Sequence, residues 1–165
     1  MRYRRSRATG GPFFFTVKLA DRQGHLLVTH IEALRSAMRS TGQGHHFEIV
    51  AMVVLPDHLH AIWRLPEGDA DYPLRGSLIK AGFSRSLPKT ESIRDSRARR
   101  RERGIWQRRY WEHQIRDDDD LRRHVDYVHF NPVKHGYVEH AIDWPYSSIH
   151  RFVRAGAVSE TWGMR

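Results

Sequence analysis

The chain has 165 residues, 39% of them hydrophobic, which is close to the size of one ordinary domain with one core. It contains no cysteine, and this excludes disulfide frameworks, thiolate zinc sites, iron–sulfur clusters and cysteine nucleophiles. There are 28 lysines and arginines against 19 aspartates and glutamates, a formal net charge of +9. We therefore expect a polyanionic partner, nucleic acid first and a membrane surface second.

Hydrophobic periodicity and turn signals divide the chain into alternating strands and helices. Strand segments are rich in aromatic and β-branched residues, whereas helical segments place apolar residues on one stripe. In chain order we first predict a strand over 12–20, a helix over 30–40 capped by Thr29, and strands over 46–55 and 58–65. A second helix follows over 72–87, with Leu74, Leu78, Ile79 and Phe83 facing inward. The remaining elements are a strand over 105–116, a helix over 117–131 that ends before Pro132, and a short last helix or docked tail over 146–155.

The order β-α-β-β-α-β is typical of a ferredoxin-like α+β fold, an antiparallel four-stranded sheet with helices packed on one face. The helix over 117–131 follows this core as an additional C-terminal helix. No internal repeat or second core is evident, so we expect one domain over 1–165.

Apolar segments are too short to cross a membrane, since no run approaches the roughly 20 residues that a membrane helix needs. The apolar stretch over 13–19 is also too short, and too rich in aromatic and β-branched residues, for a signal peptide. We expect a soluble protein of the bacterial cytoplasm.

Two segments are strongly basic, and we interpret them as an N-terminal arm over 1–11 and a mobile loop over 88–104. Within and beside this loop, residues 85–109 hold ten lysines and arginines against three acids. Both segments suit contact with phosphates, and the alternative for both is a solvated surface region. The arginines of the arm are Arg2, Arg4, Arg5 and Arg7.

His58 and His60 lie two positions apart on a predicted strand. Side chains at i and i+2 of a strand point to the same face, so the two imidazoles stand side by side. Neutral imidazole binds divalent metals, and two of them make half of a metal site. The alternative is that one or both are buried histidines with backbone partners.

Tyr127 and Asn131 lie four positions apart on a predicted helix and therefore project from one face. The amide oxygen of Asn131 is a hard donor that would complete a three-ligand site. A phenol is a poor nucleophile until a cation is nearby, and a metal ion on a phosphate would orient the phosphorus for in-line attack. The alternatives are a core aromatic for Tyr127 and a helix C-cap for Asn131.

Together these motifs resemble those of the HUH single-tyrosine transposases, and most closely the REP-associated tyrosine transposases (REP, repetitive extragenic palindrome). The resemblance spans nearly the whole chain. It rests on GGPFFFTVKL at 10–19, EIVAMVVLPDHLHAIWRLPEGD at 48–69, IWQRRYWEHQIR at 105–116 and HVDYVHFNPVKHGYV at 124–138. Replication initiators with two tyrosines often place the second where this chain has Asn131, so one nucleophile is expected.

The resemblance implies a ferredoxin-like core whose C-terminal helix carries the nucleophile, and a requirement for Mg²⁺ or Mn²⁺. It also implies cleavage of single-stranded DNA next to REP hairpins, in which the tyrosine becomes joined to the 5′ phosphate and a 3′ hydroxyl is freed. His58 and His60 match the paired metal histidines of the family, Asn131 matches its polar ligand and Tyr127 its nucleophile. The REP-associated branch also favours a monomer over a dimer.

Other residues are candidates for contact with DNA. Trp106, Arg108 and Arg109 interleave an aromatic ring with cations, as base stacking with phosphate contact requires. Lys134 follows Tyr127 on the chain and could touch the scissile strand, and each of these residues could instead serve the surface or the core. The alternative for the whole protein is a regulator that binds DNA hairpins with this fold but does not cut them.

Overall fold

The computed structural model describes residues 10–89 and 104–164. The strands are β1 (Phe13–Lys18), β2 (Glu48–Val54), β3 (His58–Arg64) and β4 (Trp111–Gln114). The helices are α1 (Leu26–Thr29), α2 (Ile31–Gly44), α3 (Tyr72–Arg85), α4 (Asp118–Lys134) and α5 (Ile149–Arg154), with a short 3-10 helix at Ala141–Asp143. Most of the predicted basic loop over 88–104 lies outside the described residues. So do the arginines predicted for the arm, Arg2, Arg4, Arg5 and Arg7.

The four strands form one antiparallel sheet in the order β2-β3-β1-β4. β2 and β3 pair as antiparallel neighbours, and β1 lies between β3 and β4. In this register Thr16 of β1 lies opposite His60 of β3. With a helical segment between β1 and β2 and another between β3 and β4, the predicted ferredoxin-like α+β fold is confirmed.

Helices α2 and α3 pack together on one face of the sheet and close the larger of two main cores. Phe13 and Phe15 of β1 and Trp63 of β3 point into this core, since alternate residues of a strand share a face. Leu34 of α2 and Phe83 of α3 meet them there, each with no exposed surface.

The inward face of α3 differs from the prediction. Leu74 and Leu78 are 38% and 36% exposed, so their predicted inward orientation is wrong. Arg75 is buried instead, because its guanidinium donates to the Asp69 carboxylate at 2.8 Å and to the His46 carbonyl at 2.8 Å. A charged side chain whose donors are satisfied in this way can occupy a position that periodicity assigns to an apolar residue.

Helix α4 packs on the opposite face of the sheet, against β2 and β3. Val128 of α4 joins Phe14, Val53 and Ile62 in a second core, and all four are buried. The sheet therefore separates α4 from α2 and α3, and α4 covers the face on which the even-numbered residues of β3 lie.

Helix α4 begins after Asp117, whose carboxylate accepts the Asp120 backbone N–H at 2.8 Å. It continues through Pro132 to Lys134, so the predicted end before Pro132 is wrong. A proline in the last turn removes one helical hydrogen bond, and the preceding residue disfavours the α region. Burial of Asn131, Pro132 and Val133 outweighs these preferences.

Two other predicted boundaries are wrong. The strand over 105–116 shortens to β4, and Trp106 pairs with Leu19 only as an isolated bridge. The first helical segment is divided into α1 and α2, and His30 rather than Thr29 precedes α2.

Residues 144–151 run along the outer edge of β2. The Val54 N–H donates to the Tyr146 carbonyl at 2.8 Å, and the Ser148 N–H donates to the Met52 carbonyl at 2.8 Å. The guanidinium of Arg151 donates to two further carbonyls of this edge. The predicted last helix is α5, which begins at Ile149 within this segment. None of the described helices is both long enough and apolar enough to cross a bilayer.

Candidate active site

Strand β3 places His58 and His60 side by side on the face that α4 covers, while Leu59 between them points into the core on the other face. The two ring centroids are 5.0 Å apart and the ring planes are close to perpendicular. The side chains are almost fully buried, at 4% and 3% exposure. The i, i+2 spacing therefore produces the paired imidazoles that it predicts.

Each imidazole is held through its Nδ1 atom. The Nδ1 of His58 lies 2.7 Å from Oδ1 of Asp57, to which it donates because a carboxylate only accepts. The Nδ1 of His60 lies 2.8 Å from the hydroxyl oxygen of Thr16, which can accept in the same way. The bond to Asp57 leaves the lone pair of His58 on Nε2, which is the form of histidine that binds a metal. The hydroxyl of Thr16 is compatible with the same form of His60.

Burial keeps both imidazoles neutral. It lowers the pKa of His60 to about 3, and repulsion from His58 adds to the effect. It also lowers the pKa of His58, although the hydrogen bond to Asp57 opposes this. Burial alone would raise the pKa of Asp57, but its bonds with Arg22 and His58 outweigh burial and lower that pKa. At neutral pH the site holds two uncharged imidazoles beside an ionised carboxylate.

Helix α4 brings the ring of Tyr127 next to these histidines. Its centroid lies 5.2 Å from that of His60 and 5.9 Å from that of Phe14. The Nζ of Lys134, two turns further along α4, lies 4.8 Å from the Tyr127 centroid. Because Tyr127 is 38% exposed, it is not the core aromatic that the alternative interpretation requires, and a bulky substrate can reach its ring.

Asn131 lies one turn beyond Tyr127 on the same helix face and has no exposed surface. Neither Oδ1 nor Nδ2 of its amide has a hydrogen-bond partner within the described part of the chain. A buried polar group left unpaired costs about 1–3 kcal/mol, so the amide lacks a ligand or partner. An amide oxygen is a ligand that divalent metal ions accept, but Asn131 is not among the described residues that line the pocket over His58 and His60. Its role as a third metal ligand stays a prediction. The C-cap of α4 is His135, which rules out the C-cap alternative for Asn131.

A pocket of about 510 Å³ opens over the two imidazoles and Tyr127. No carboxylate is found among the described residues that line it. A cleft lined by one sign of charge focuses its field and attracts ions of the opposite sign, so this pocket suits a phosphodiester. The cations that line it are Lys18, Arg22, Arg109 and Lys134, and His135 also contributes to the wall.

Two other candidates for DNA contact lie away from this pocket. The ring of Trp106 packs on Phe83 with centroids 5.4 Å apart, and its indole N–H donates to the Lys80 carbonyl at 3.2 Å. Trp106 is thereby attached to α3. Arg108 lines a separate cavity on the other face of the sheet. Of the four predicted DNA contacts in the described residues, Arg109 and Lys134 line the pocket.

A second group of potential metal ligands lies near the start of α4. His113 Nε2 lies 2.8 Å from Asp120 Oδ2, His124 Nδ1 lies 3.2 Å from Asp120 Oδ1, and the ligand atoms are all within 4.8 Å of one another. The Asp120 carboxylate also accepts the backbone N–H of Arg116 at 2.9 Å. Burial would raise the pKa of Asp120, but these bonds lower it. The Asp120 carboxylate has its hydrogen bonds without an ion. The cluster of His113, Asp120 and His124 joins α4 to β4.

Thr16 and Asp57, which orient the two imidazoles, were not predicted as site residues. Thr16 becomes recognisable only when the β1–β3 register places it opposite His60. Asp57 immediately precedes His58, and this position is a signal that the sequence offers. Lys18 and Arg22 depend on the same register and on the loop that follows β1.

No protein-family model matches the chain. Among curated proteins, it is 50% identical over 162 residues to a Haemophilus influenzae protein provisionally named a REP-associated tyrosine transposase, covering 98% of this chain and 92% of that protein. It is 44% identical over 160 residues to the REP-associated tyrosine transposase of Escherichia coli K12, covering 97% and 89%. A solved structure of a REP-associated tyrosine transposase bound to a REP hairpin matches with a TM-score of 0.85 and 43% identity, covering 98% of this chain and 90% of that one.

The curated relatives match almost the full length of the chain and the solved structure also shares its fold, which places the protein among the transposases. More narrowly, the chain belongs to the family of the REP-associated tyrosine transposases. The family resemblance of the sequence motifs is thereby confirmed.

Proposed function

We propose that this protein is a metal-dependent endonuclease and strand transferase that cuts single-stranded DNA next to REP-type hairpins through a 5′-phosphotyrosine intermediate. The observation that carries the proposal is the position of Tyr127, which is 38% exposed and lies beside His60 in a pocket lined by cations. The hairpin bound to the related solved transposase supports hairpin DNA as the partner.

The scissile phosphate binds in the pocket over the imidazoles. Lys18, Arg22 and Arg109 neutralise its charge with charge-assisted hydrogen bonds. Because Tyr127 projects into the same pocket, the bound phosphate and the phenol react as if within one molecule, which removes most of the entropic cost of encounter.

The phenol oxygen of Tyr127 attacks the phosphorus, and a phosphotyrosine bond forms as the bond from phosphorus to the 3′ oxygen breaks in line. The phenol gives up its proton, and the departing 3′ oxygen takes up a proton to become a hydroxyl. The ammonium of Lys134, 4.8 Å from the ring centroid, stabilises the negative charge that develops on the phenol. In reverse, a 3′ hydroxyl attacks the phosphotyrosine and rejoins the strands.

His58, His60 and Asn131 would hold the Mg²⁺ or Mn²⁺ ion. When bound there, such an ion polarises the phosphate and makes the phosphorus more electrophilic. Asp57 holds the ring of His58 with Nε2 unprotonated, and Thr16 would hold His60 in the same form by accepting from its Nδ1. Because the pKa of His60 is about 3, this ligand has no proton to lose at neutral pH before it binds a metal.

The test is a covalent adduct between protein and DNA. Labelled hairpins with single-stranded flanks are incubated with the protein and Mn²⁺, and the products are separated under denaturing conditions. The hairpins are palindromes that lie beside the gene of this protein and beside the genes of its relatives. Wild-type protein should give a band that resists denaturant, and Tyr127→Phe should give none while binding the hairpin unchanged. The phenylalanine keeps the ring contacts with His60 and Phe14, so folding is preserved.

Tyr137 provides the matched control, because it is 44% exposed and lies three residues after Lys134. Tyr137→Phe should retain the adduct, and His60→Ala should lose it while still binding DNA. An adduct that persists in Tyr127→Phe would show that another nucleophile is used. If wild-type protein binds these hairpins but forms no adduct with any of them, the protein is a hairpin-binding regulator instead.

A further inference from the structure

Three aromatic rings connect the start of α4 to the candidate active site, and we call them the ring layer: His113 of β4, His124 of α4 and Phe14 of β1. The imidazoles of His113 and His124 are stacked, with centroids 4.7 Å apart and ring planes at 14°. The centroid of His124 also lies 4.9 Å from that of Phe14. The ring layer therefore runs from the edge strand β4 to the inner strand β1.

Phe14 contacts both of the rings that meet in the site. Its centroid lies 5.9 Å from that of Tyr127, with the planes at 77°, and 5.7 Å from that of His60, with the planes at 13°. Because the Tyr127 and His60 centroids are 5.2 Å apart, each of the three rings contacts the other two. Phe14 is 4% exposed and belongs to the second core, where close packing leaves a side chain little room to shift. The place of Phe14 therefore affects the spacing of Tyr127 and His60.

Hydrogen bonds fix the imidazole of His124. Its Nδ1 lies 2.8 Å from the Asp120 carbonyl oxygen and 3.2 Å from Asp120 Oδ1, and since both oxygens only accept, Nδ1 is the donor. The Nε2 of His113 donates to the other carboxylate oxygen at 2.8 Å, and Asp120 itself is 2% exposed. Both imidazoles are therefore tied to one buried carboxylate, and His124 presents a fixed ring to Phe14.

Tyr127 lies three residues after His124, so the two side chains are neighbours on one face of α4. Among the described residues, the rings that Tyr127 contacts are those of Phe14 and His60. Its remaining surface is open, because the residue is 38% exposed. Contacts on the buried side therefore position the phenol. A displacement of about 1 Å in a reacting group can cost roughly 100-fold in rate, so these contacts matter for attack in line.

We propose that His124 is a positioning residue for the attack by Tyr127: it supports Phe14, and Phe14 sets the place of the Tyr127 ring beside His60. The inference rests on the proposed function, because that function makes Tyr127 the nucleophile. Neither His124 nor Phe14 is found among the described residues that line the pocket over the imidazoles. Both residues thus act through Tyr127 and not on the DNA.

Two substitutions separate the ring of His124 from its hydrogen bond. His124→Phe keeps a ring against Phe14 but removes the bond to Asp120, whereas His124→Ala removes both. The matched control is His150→Ala on α5. Like His124, His150 is a partly buried histidine whose ring nitrogen bonds a backbone carbonyl, that of Trp144 at 2.8 Å.

Rates are measured in single turnover on a labelled flanked hairpin, with saturating DNA and Mn²⁺. His124→Ala should form the covalent adduct roughly 10- to 100-fold more slowly than wild-type protein. Its affinities for the hairpin and for Mn²⁺, measured separately, should be unchanged. His124→Phe and His150→Ala should react at the wild-type rate. A residue that served folding alone would not give this result, because loss of folded protein lowers binding and rate together.

A second measurement needs no cleavage. In NMR spectra of the free protein, nuclear Overhauser effects between ring protons report the contact of Tyr127 with His60. They should be present in wild-type protein and in His124→Phe, and weakened or lost in His124→Ala. Phe14→Leu is a further variant, since it removes the ring that contacts Tyr127 and keeps an apolar side chain in the core. It should also react slowly with both affinities unchanged.

The inference is overturned if Phe14→Leu, or a folded His124→Ala, reacts at the wild-type rate, or if His124→Phe is as slow as His124→Ala. It is also overturned if the rate falls only in proportion to binding, or if the Overhauser effects persist unchanged in His124→Ala. The proposed function is decided separately. If wild-type protein forms no adduct, or if Tyr127→Phe still forms one, that function fails, whereas the Overhauser effects still show whether His124 positions the Tyr127 ring.

Discussion

His129 of α4 is a buried histidine, and its protonation in acid should destabilise the fold. It is 1% exposed, and its Nε2 lies 2.8 Å from the hydroxyl oxygen of Ser148. That oxygen also accepts the backbone N–H of Met52 at 2.9 Å, so the Ser148 hydroxyl is free to donate to Nε2 of a neutral imidazole. Burial lowers the pKa of His129 to about 4, and repulsion from Arg151 adds to the effect.

The size of the effect follows from linkage. In the unfolded chain the pKa of this histidine returns to 6.5. Because the folded pKa is lower, the unfolded state alone binds the proton between these two values, and stability falls as pH falls from 6.5 toward 4. One pKa unit corresponds to about 1.4 kcal/mol, so His129 alone should cost about 2 kcal/mol at pH 5 and about 3 kcal/mol at pH 4.

The perturbation is His129→Phe, which keeps a ring against Phe152 and Trp162 and removes the titrating group. Free energies of unfolding in urea are compared at pH 8, 6 and 5. At pH 8 the variant should be less stable by about 1 kcal/mol, because the Ser148 hydroxyl loses its acceptor. Toward pH 5 the difference should move in favour of the variant by about 2 kcal/mol.

Comparison of the two proteins removes the contributions of other histidines, because these titrate alike in both. A difference in unfolding free energy that stays constant from pH 8 to pH 5 would refute the reasoning. It would mean that His129 accepts a proton inside the folded protein as readily as in water.

Three further predictions concern the site and its supports. Asp57→Asn should weaken Mn²⁺ binding about 10- to 100-fold in calorimetric titrations, because His58 loses its anionic partner; unchanged affinity would place the metal elsewhere. Asp120→Ala should lower the urea unfolding free energy by about 2 kcal/mol or more, since it leaves His113 and the Arg116 N–H unpaired; no loss would mean that the start of α4 does not depend on this group. Hairpin affinity should fall steeply with salt, and Arg109→Gln should reduce the slope of log affinity against log salt by about 1; an unchanged slope would remove Arg109 from the phosphate contacts.

Local spacing was enough to predict half of the site. Side chains at i, i+2 of a strand and at i, i+4 of a helix share a face regardless of the rest of the fold, so the pairs His58–His60 and Tyr127–Asn131 could be read from the sequence. That Tyr127 lies beside His60 depends on the order of the sheet and on α4 covering the face opposite α2 and α3. The family motifs supplied this information, since periodicity alone does not.

The residues that periodicity missed are those whose position depends on distant partners. Thr16 reaches His60 only through the pairing of β1 with β3. Arg75 is buried because the Asp69 carboxylate and a carbonyl before β2 satisfy its guanidinium. Trp106 packs on α3 because its ring contacts Phe83 and its indole N–H donates to the Lys80 carbonyl. In each case a tertiary contact outweighs the local pattern.

The segment over 144–151 also has a consequence for behaviour in solution. An uncovered edge strand has a row of unpaired N–H and C=O groups, with which another chain can pair as an additional strand. Here Tyr146, Ser148 and Arg151 already occupy those groups along β2, so this side of the sheet presents no template for growth. The tail thus protects the molecule against fibre-like self-association.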